Sequence, residues 1–314
     1  MSEISKKDVR NIAKHTNWQK KDIALFLNQY VYPSKKDWIN FSTLTSLTLG
    51  IGLFAIGVVF FFAYNWQAIP SYGKLSIILV LIGIFSLISI HPKIQILYKQ
   101  LCLTAVSLMV GVLFAVFGQI YQTGANAYDF FLAWSIFCLI WVITARFKPL
   151  WVLYFCLLNT TLFFYYDQVL EFTIDKKNIF AAFILLNVIP ILFEFIRSKA
   201  KKTNSSSYLS YAFSAVSLTF TTAILCYSIA DSDTVAFGDF IALLNIVLVT
   251  YTAFYYKRTY YLALLSLVLL AIVTTLFFKI FDFSEGTLLL ISFMIILYIT
   301  AATLTIINLK NKWK

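Results

Sequence analysis

GVLFAVFGQIYQTGANAYD, residues 111–129, joins the end of a long apolar segment to a polar loop that contains amides, aromatic rings and glycines. The apolar segment starts at Leu101, so it has about 20 residues, enough for an α-helix to cross a bilayer. Small and polar residues follow one helical stripe along it: Thr104, Ser107, Gly111, Ala115, Gly118 and Gln122. Because small residues let helix backbones approach closely, the stripe predicts a central packing helix that ends in a chemically specific loop.

The composition predicts that the rest of the chain is of the same kind. Hydrophobic residues make up 61% of it and charged residues 12%, about half the charged share of globular proteins. The apolar runs are long and uninterrupted, which excludes the alternating strands of a β-barrel. We therefore expect an all-α polytopic membrane bundle. Ten transmembrane segments are predicted, near residues 41–64, 75–91, 101–121, 128–145, 149–166, 179–196, 208–230, 238–256, 259–278 and 287–308.

The basic residues predict how these segments are oriented. With the N-terminus inside, 21 of the 25 Lys and Arg residues fall on the inner side of the membrane. Such a bias in short loops sets topology by the positive-inside rule, so both termini are expected in the cytoplasm. The net charge of +11 then reflects topology, and no nucleic-acid partner is expected. The four basic residues on the outer side are Lys74, Lys176, Lys177 and Lys279.

Residues 1–38 form a charged leader that is predicted to contain two short amphipathic helices. Thr16 and Gln19 have the spacing of a capping box for the second helix, and Pro33 is expected to end it. Two interpretations are open. The leader lies on anionic lipid headgroups as a cytoplasmic cap, or it docks a cytoplasmic partner protein.

The second half of the chain carries isolated polar residues inside its apolar segments. Asn159, Asn187 and Asn245 are expected to form hydrogen bonds between helices. The seventh segment has a stripe of hydroxyls for close helix contact: Ser210, Ser214, Ser217, Thr221 and Ser228. Pro190 is expected to kink the sixth segment.

Catalytic and metal-binding motifs are missing from the sequence. Of the two histidines, His15 lies in the leader and His91 at the inner boundary of the second segment, and no phosphate-binding loop or HExxH helix is present. All four cysteines fall within predicted segments without a CxxC or Cys/His cluster. The segment cores also lack the ionisable residues that proton relays use. We expect no enzyme activity, no metal and no cofactor.

Polar side chains collect instead on the predicted outer side, at the ends of the first and third segments. Amides, phenols, an indole and a carboxylate suit a small polar solute or a lipid headgroup. The candidate ligand-binding residues are Asn65, Trp66, Gln67, Gln119, Tyr121, Gln122, Asn126, Tyr128 and Asp129. The alternative is that these residues bond to one another and close the outer ends of the first four segments.

Glycines suggest how this outer face is held together. Gly118 and Gly124 bracket a stretch where the backbone can turn or approach a ligand closely. Gly50 and Gly57 give the first segment a stripe like that of the third. Eight of the ten glycines precede residue 125, so the tightest packing is expected in the first four segments.

Three features of the sequence occur together: the charged leader, Ala63-Tyr64-Asn65-Trp66 after a glycine-rich segment, and Gly118-Gln119-Ile120-Tyr121-Gln122 followed by Phe131 and Trp134. In these features the sequence resembles a family of predicted bacterial membrane proteins, domain-of-unknown-function family 2157. The resemblance covers roughly residues 5–150. It implies a protein of the bacterial cytoplasmic (inner) membrane and brings no established activity.

The expected organisation is a leader (1–38), a family-like membrane domain (39–150) and a further membrane bundle (151–314). The leading hypothesis is binding or facilitated passage of a small polar solute or lipid headgroup through an outer-face pocket. The alternative is a non-catalytic scaffold whose leader recruits a cytoplasmic partner.

Overall fold

The computed structural model describes the chain except residues 1–8, 10–11, 14, 17, 123, 125, 172–173, 201–207, 231–235, 282–284 and 314. The first predicted leader helix therefore lies largely outside the described residues. The regular elements are eleven helices: α1 Lys20–Tyr30, α2 Lys35–Tyr64, α3 Ser71–Ile90, α4 Ile96–Tyr121, α5 Ala127–Ala145, α6 Lys148–Gln168, α7 Lys176–Ala200, α8 Tyr208–Ala230, α9 Phe237–Tyr256, α10 Thr259–Ile280 and α11 Glu285–Lys312.

The prediction of an all-α protein with ten membrane segments is confirmed. Within the described ranges no strand is formed, and ten helices, α2 to α11, are long and apolar enough to cross a bilayer. Each of the ten predicted segments corresponds to one of these helices. In lipid a helix satisfies its own backbone hydrogen bonds, which is why each apolar run forms one.

Helix α2 begins at Lys35, before its apolar run and before the predicted start of the first segment near residue 41. The backbone N–H of Asp37 donates to Ser34 Oγ at 3.3 Å, and the Asp37 carboxylate accepts from the Ser34 N–H at 2.8 Å. This reciprocal capping box satisfies amides at the helix start. The apolar run therefore extends towards the N-terminus as a helix of 30 residues.

The predicted Thr16/Gln19 capping box is wrong, although the second leader helix is present as α1. Thr16 Oγ1 donates back to the carbonyl of Ile12 at 2.8 Å. Asp22 instead accepts from the Gln19 N–H at 2.9 Å, so Gln19 is the residue that precedes the helix. The helix ends at Tyr30, three residues before Pro33.

The chain divides into two compact units, and unit 1 comprises residues 1–120 and 141–146. Its core contains Phe62 of α2, Ile78 of α3, and Met109, Val112 and Val116 of α4. Helix α4 is the most deeply buried of the ten apolar helices. The predicted stripe is only partly buried, because Ser107 and Gly111 are enclosed whereas Ala115 and Gln122 are exposed.

Unit 2 comprises residues 121–140 and 147–314. Its closest helix contacts join α7 with α8, α8 with α10, and α7 with α9. The serines of α8 at 210, 214 and 217 and Thr221 are fully buried there, as the hydroxyl stripe predicted. Small polar side chains thus allow the α8 backbone to lie close to its neighbours.

The expectation that glycines pack the first four segments most tightly is wrong. Apart from its chain neighbours and the nearby backbone of its own helix, a Cβ atom built at Gly50, Gly57 or Gly118 would have no atom within 4 Å. At Gly238, the first turn of α9, a Cβ atom would lie 2.4 Å from the carbonyl oxygen of Lys177. Only glycine leaves room for the α7 backbone at that position.

The predicted interhelical amide bonds are confirmed. Asn187 Nδ2 donates to Asn159 Oδ1 at 2.8 Å, and Asn159 Nδ2 donates to Asn187 Oδ1 at 3.3 Å. Asn245 Nδ2 donates to Thr221 Oγ1 at 2.9 Å, joining α9 to α8. These bonds give α6–α7 and α8–α9 a defined register.

Candidate functional site

The turn between α2 and α3 brings several candidate residues together within unit 1. We call residues 65–74 the α2–α3 corner. Helix α2 ends at Tyr64, and the Asn65 side chain donates from Nδ2 to the carbonyl of Phe61 at 2.9 Å. The same carbonyl also accepts from the Asn65 backbone N–H at 3.1 Å, so the Asn65 side chain adds a second hydrogen bond at the C-terminal end of its own helix.

Trp66 anchors the corner to the core of unit 1. Trp66 and Ile69 pack against the cluster that contains Phe62, Ile78 and Val116, and Ile120 of α4 packs against the same cluster. The corner and the C-terminal end of α4 thus lie at one end of unit 1. Gln67 and Gln119 are exposed at that end, and Asn65 is half-buried.

Lys74, in the first turn of α3, reaches back over the corner. Its ammonium lies 3.6 Å from the centroid of the Trp66 ring, well within the range of a cation–π contact. The residue is only 5% exposed. None of the described carboxylates lies within 4 Å of this ammonium. The Trp66 ring therefore holds a largely buried cation that has no acidic partner among the described residues.

The remaining candidate residues lie in unit 2, and several of them support helix ends. The carboxylate of Asp129 accepts from the Asn126 N–H at 3.1 Å, at the start of α5. The Tyr128 N–H donates to Gln168 Oε1 at 2.9 Å, and the Tyr128 ring lies 5.1 Å from that of Tyr165. Asp129 thus caps the start of α5, and Tyr128 joins α5 to the C-terminal end of α6.

Tyr121 and Gln122 mark the end of α4. Tyr121 is its last residue and is 57% exposed. Gln122 has φ 44°, so it leaves the helix in the left-handed region, and Gly124 follows with φ 62°. Of the two glycines expected to bracket a turn, Gly124 thus has the left-handed conformation that glycine adopts without strain, whereas Gly118 lies within α4. Gln122 does not continue the helical stripe that the sequence predicted.

A second polar cluster, at the start of α7 and α9, was missed by sequence reasoning. Lys177 Nζ lies 3.5 Å from Asp239 Oδ2, with side-chain exposures of 5% and 13%. Ser228 Oγ also donates to the Asp239 carboxylate, and the Ala236 N–H donates to Oδ2 at 2.8 Å. The sequence does contain a signal that could have identified this cluster. Asp239, a charged residue, directly follows Gly238, the one glycine of α9.

Lys74 was also missed as a site residue. The sequence marked it only as the single basic residue of the first outer loop. Two features of the sequence could have identified it. Lys74 is a basic residue on the predicted outer side, against the positive-inside pattern, and the indole of Trp66 is close to it in the chain.

The ten apolar helices define a multi-pass helical membrane protein. The family model described as "Predicted membrane protein (DUF2157)" matches residues 28–151, which hold α2 to α5. This match confirms the resemblance drawn from the NW and GQIYQ motifs. No curated protein and no solved structure has detectable similarity to the chain.

Proposed function

We propose that this protein is a non-enzymatic protein of the bacterial inner membrane that binds a small polar solute or a lipid headgroup. Binding takes place at the outer end of unit 1, where the α2–α3 corner adjoins the C-terminal end of α4. The observation that carries the proposal is the shared packing of Trp66 and Ile120 on one apolar cluster. It sets Asn65, Gln67 and Gln119 around the same end of the unit.

The exposed polar groups at this end have the chemistry that the proposal needs. Gln67 and Gln119 each offer an amide donor and acceptor, and both side chains are exposed. Half-buried Trp66 supplies an aromatic surface beside them. Indole rings favour the depth of the lipid headgroups, which supports a site that a headgroup or a solute from the periplasm could reach.

The test compares amide substitutions at the two ends of the same helices. Gln119→Ala and Asn65→Ala should reduce the lipid or solute that stays bound to the purified chain in native mass spectrometry. Gln95→Ala and Asn40→Ala are matched controls, because both are exposed amides near the other ends of α4 and α2 and should retain it. Equal retention by all four variants, at equal yields of folded protein, would refute the proposal.

A scaffold role is the second candidate, and the exposure of α1 favours it. No residue of α1 is buried, and Leu25 is 67% exposed. The rings of Trp18, Phe26 and Tyr30 follow one another at 5.1 and 4.6 Å. Deleting residues 1–31 discriminates between the scaffold role and ligand binding at the α2–α3 corner. If the protein is a scaffold, the deletion abolishes binding of its cytoplasmic partner. If it binds a headgroup at the corner, that binding persists.

A further inference from the structure

Two features of the α2–α3 corner present positive charge to the same place. The first is Lys74, whose side chain is largely buried and whose ammonium contacts the Trp66 ring. No described group accepts a hydrogen bond from this ammonium. Removing an ammonium from water is costly unless an anion or hydrogen-bond acceptors replace the water. The corner thus holds a largely buried ammonium whose contact among the described residues is the Trp66 ring.

The second feature is the N-terminus of α3, a helix of 20 residues. Its first helical bond runs from the Lys74 N–H to the carbonyl of Pro70 at 3.1 Å. Pro70, which precedes the helix, provides no side-chain cap. No described side chain accepts from the N–H groups of Ser71, Tyr72 or Gly73. Free amides and the helix dipole at such a terminus favour an anion.

Both features belong to the N-terminal end of α3, since Lys74 lies in its first turn. Helical side chains incline towards the N-terminus of their helix, and the Trp66 ring, four residues before Pro70, holds the Lys74 ammonium on that side. Amide donors, a dipole and an ammonium together match the oxygens of a phosphate group, which forms short charge-assisted hydrogen bonds.

We propose that the α2–α3 corner binds a phosphate group, through Lys74 and the backbone amides that begin α3. This proposal rests on the proposed function and names the ligand's chemistry. Phosphate reaches the corner as a phospholipid headgroup or as a soluble phosphate ester. Tyr64, directly before the corner, and Tyr72, within it, are 91% and 77% exposed, and exposed phenols of this kind favour headgroup depth.

The experiment measures binding to the purified full-length chain by native mass spectrometry, with phosphatidylglycerol and a phosphate-free diglucosyl diacylglycerol as probes. Wild-type protein should bind phosphatidylglycerol in preference. Lys74→Gln should weaken that binding about tenfold, as expected for loss of a charge-assisted bond, and Lys74→Arg should retain most of it. Lys176→Gln, which removes an exposed outer lysine of unit 2, is the control and should bind as wild type does.

Ser71→Pro provides a second variant that keeps every charge. Proline is tolerated at the first position of a helix, so the substitution removes one amide donor and leaves α3 intact. It should weaken phosphatidylglycerol binding without affecting the diglucosyl lipid. If Lys74→Gln fails to fold, the lipid binding of Ser71→Pro tests the phosphate assignment.

The outcomes separate the two proposals. If wild-type protein binds the diglucosyl lipid as well as phosphatidylglycerol, the phosphate assignment is overturned and the proposed function stands. If it binds neither, and no polar solute is retained, both are overturned. Unchanged phosphatidylglycerol binding in Lys74→Gln and Ser71→Pro also overturns the phosphate assignment. Displacement of the lipid by glycerol 3-phosphate identifies a soluble phosphate ester as a ligand, whereas retention of the lipid identifies the phospholipid.

Discussion

Asn159 of α6 and Asn187 of α7 exchange hydrogen bonds, with Asn187 Nδ2 lying 2.8 Å from Asn159 Oδ1 and Asn159 Nδ2 lying 3.3 Å from Asn187 Oδ1. Each amide also donates within its own helix, to the carbonyls of Phe155 and Phe183. The pair lies near the middle of both helices, and Asn187 is fully buried whereas Asn159 is half-buried. It is a polar link in an apolar bundle, and its removal has a predictable cost.

Replacing one member of this pair should destabilise unit 2 modestly. Asn187→Leu leaves the Asn159 carbonyl oxygen without its interhelical donor, and we expect a loss of about 1 kcal/mol, the usual scale of such bonds in membrane helices. The double variant Asn159→Leu/Asn187→Leu should cost less than the sum of the singles, because no amide is then left unpaired. Reversible unfolding in mixed micelles measures the unfolding free energy of wild type, both single variants and the double variant. If the loss in the double variant equals the sum of the two single losses, the two amides are not coupled.

The ion pair between Lys177 and Asp239 should be far more sensitive to single changes. Asp239→Ala leaves a buried ammonium without its carboxylate, and breaking such a pair costs about 3–5 kcal/mol. Replacing both charges, in Lys177→Met/Asp239→Leu, should recover much of that loss. The measurement is the unfolding free energy of each variant. A single variant as stable as wild type would mean that the pair contributes nothing to the α7–α9 contact.

Gly238 and Gly57 provide a matched pair of glycine-to-alanine substitutions. Gly238→Ala places a methyl group 2.4 Å from the carbonyl oxygen of Lys177, so α7 and α9 must separate at a cost of about 1–3 kcal/mol. At Gly57 the same methyl group meets nothing within 4 Å, and stability should stay unchanged or rise, since alanine favours the helix. Thermal unfolding measures the stability of the two variants relative to wild type. A larger loss at Gly57 would contradict the observed packing.

The predicted orientation can be tested with single added cysteines. Gln67→Cys and Asn126→Cys, both at exposed positions, should react in intact cells with a maleimide that cannot cross the membrane. Lys93→Cys, in the loop between α3 and α4, should react only after the cells are permeabilised. Labelling of positions 67 and 126 from opposite sides would refute the topology and the proposed outer site together.

Much of the fold could be predicted because it depends on local properties of the chain. An apolar run forms a helix in lipid whatever its neighbours are, so ten runs predict ten helices. The boundaries were less predictable. Helix α2 starts at Lys35 because Ser34 and Asp37 cap it. Hydropathy does not predict this start, because the first residues of the helix are charged.

The candidate site was predictable only in part. Asn65, Trp66 and Gln119 were identified from their position at the ends of apolar segments. Lys74 was not, because hydropathy does not show that its stem is buried and that its ammonium contacts the Trp66 ring. The ligand assignment for all nine candidate residues stays a prediction.

By itself, the sequence determined that this chain spans a membrane with ten helices, because hydrophobic length and continuity are sums over neighbouring residues. The tertiary structure alone decided which polar residues meet: Lys177 and Asp239 lie 62 positions apart in the chain, and Asn159 and Asn187 lie 28 apart. It also decided that Gly238, and not the glycines of α2, is in close contact. These pairings depend on how each helix is rotated and at what depth it packs, and no property of a single segment specifies either.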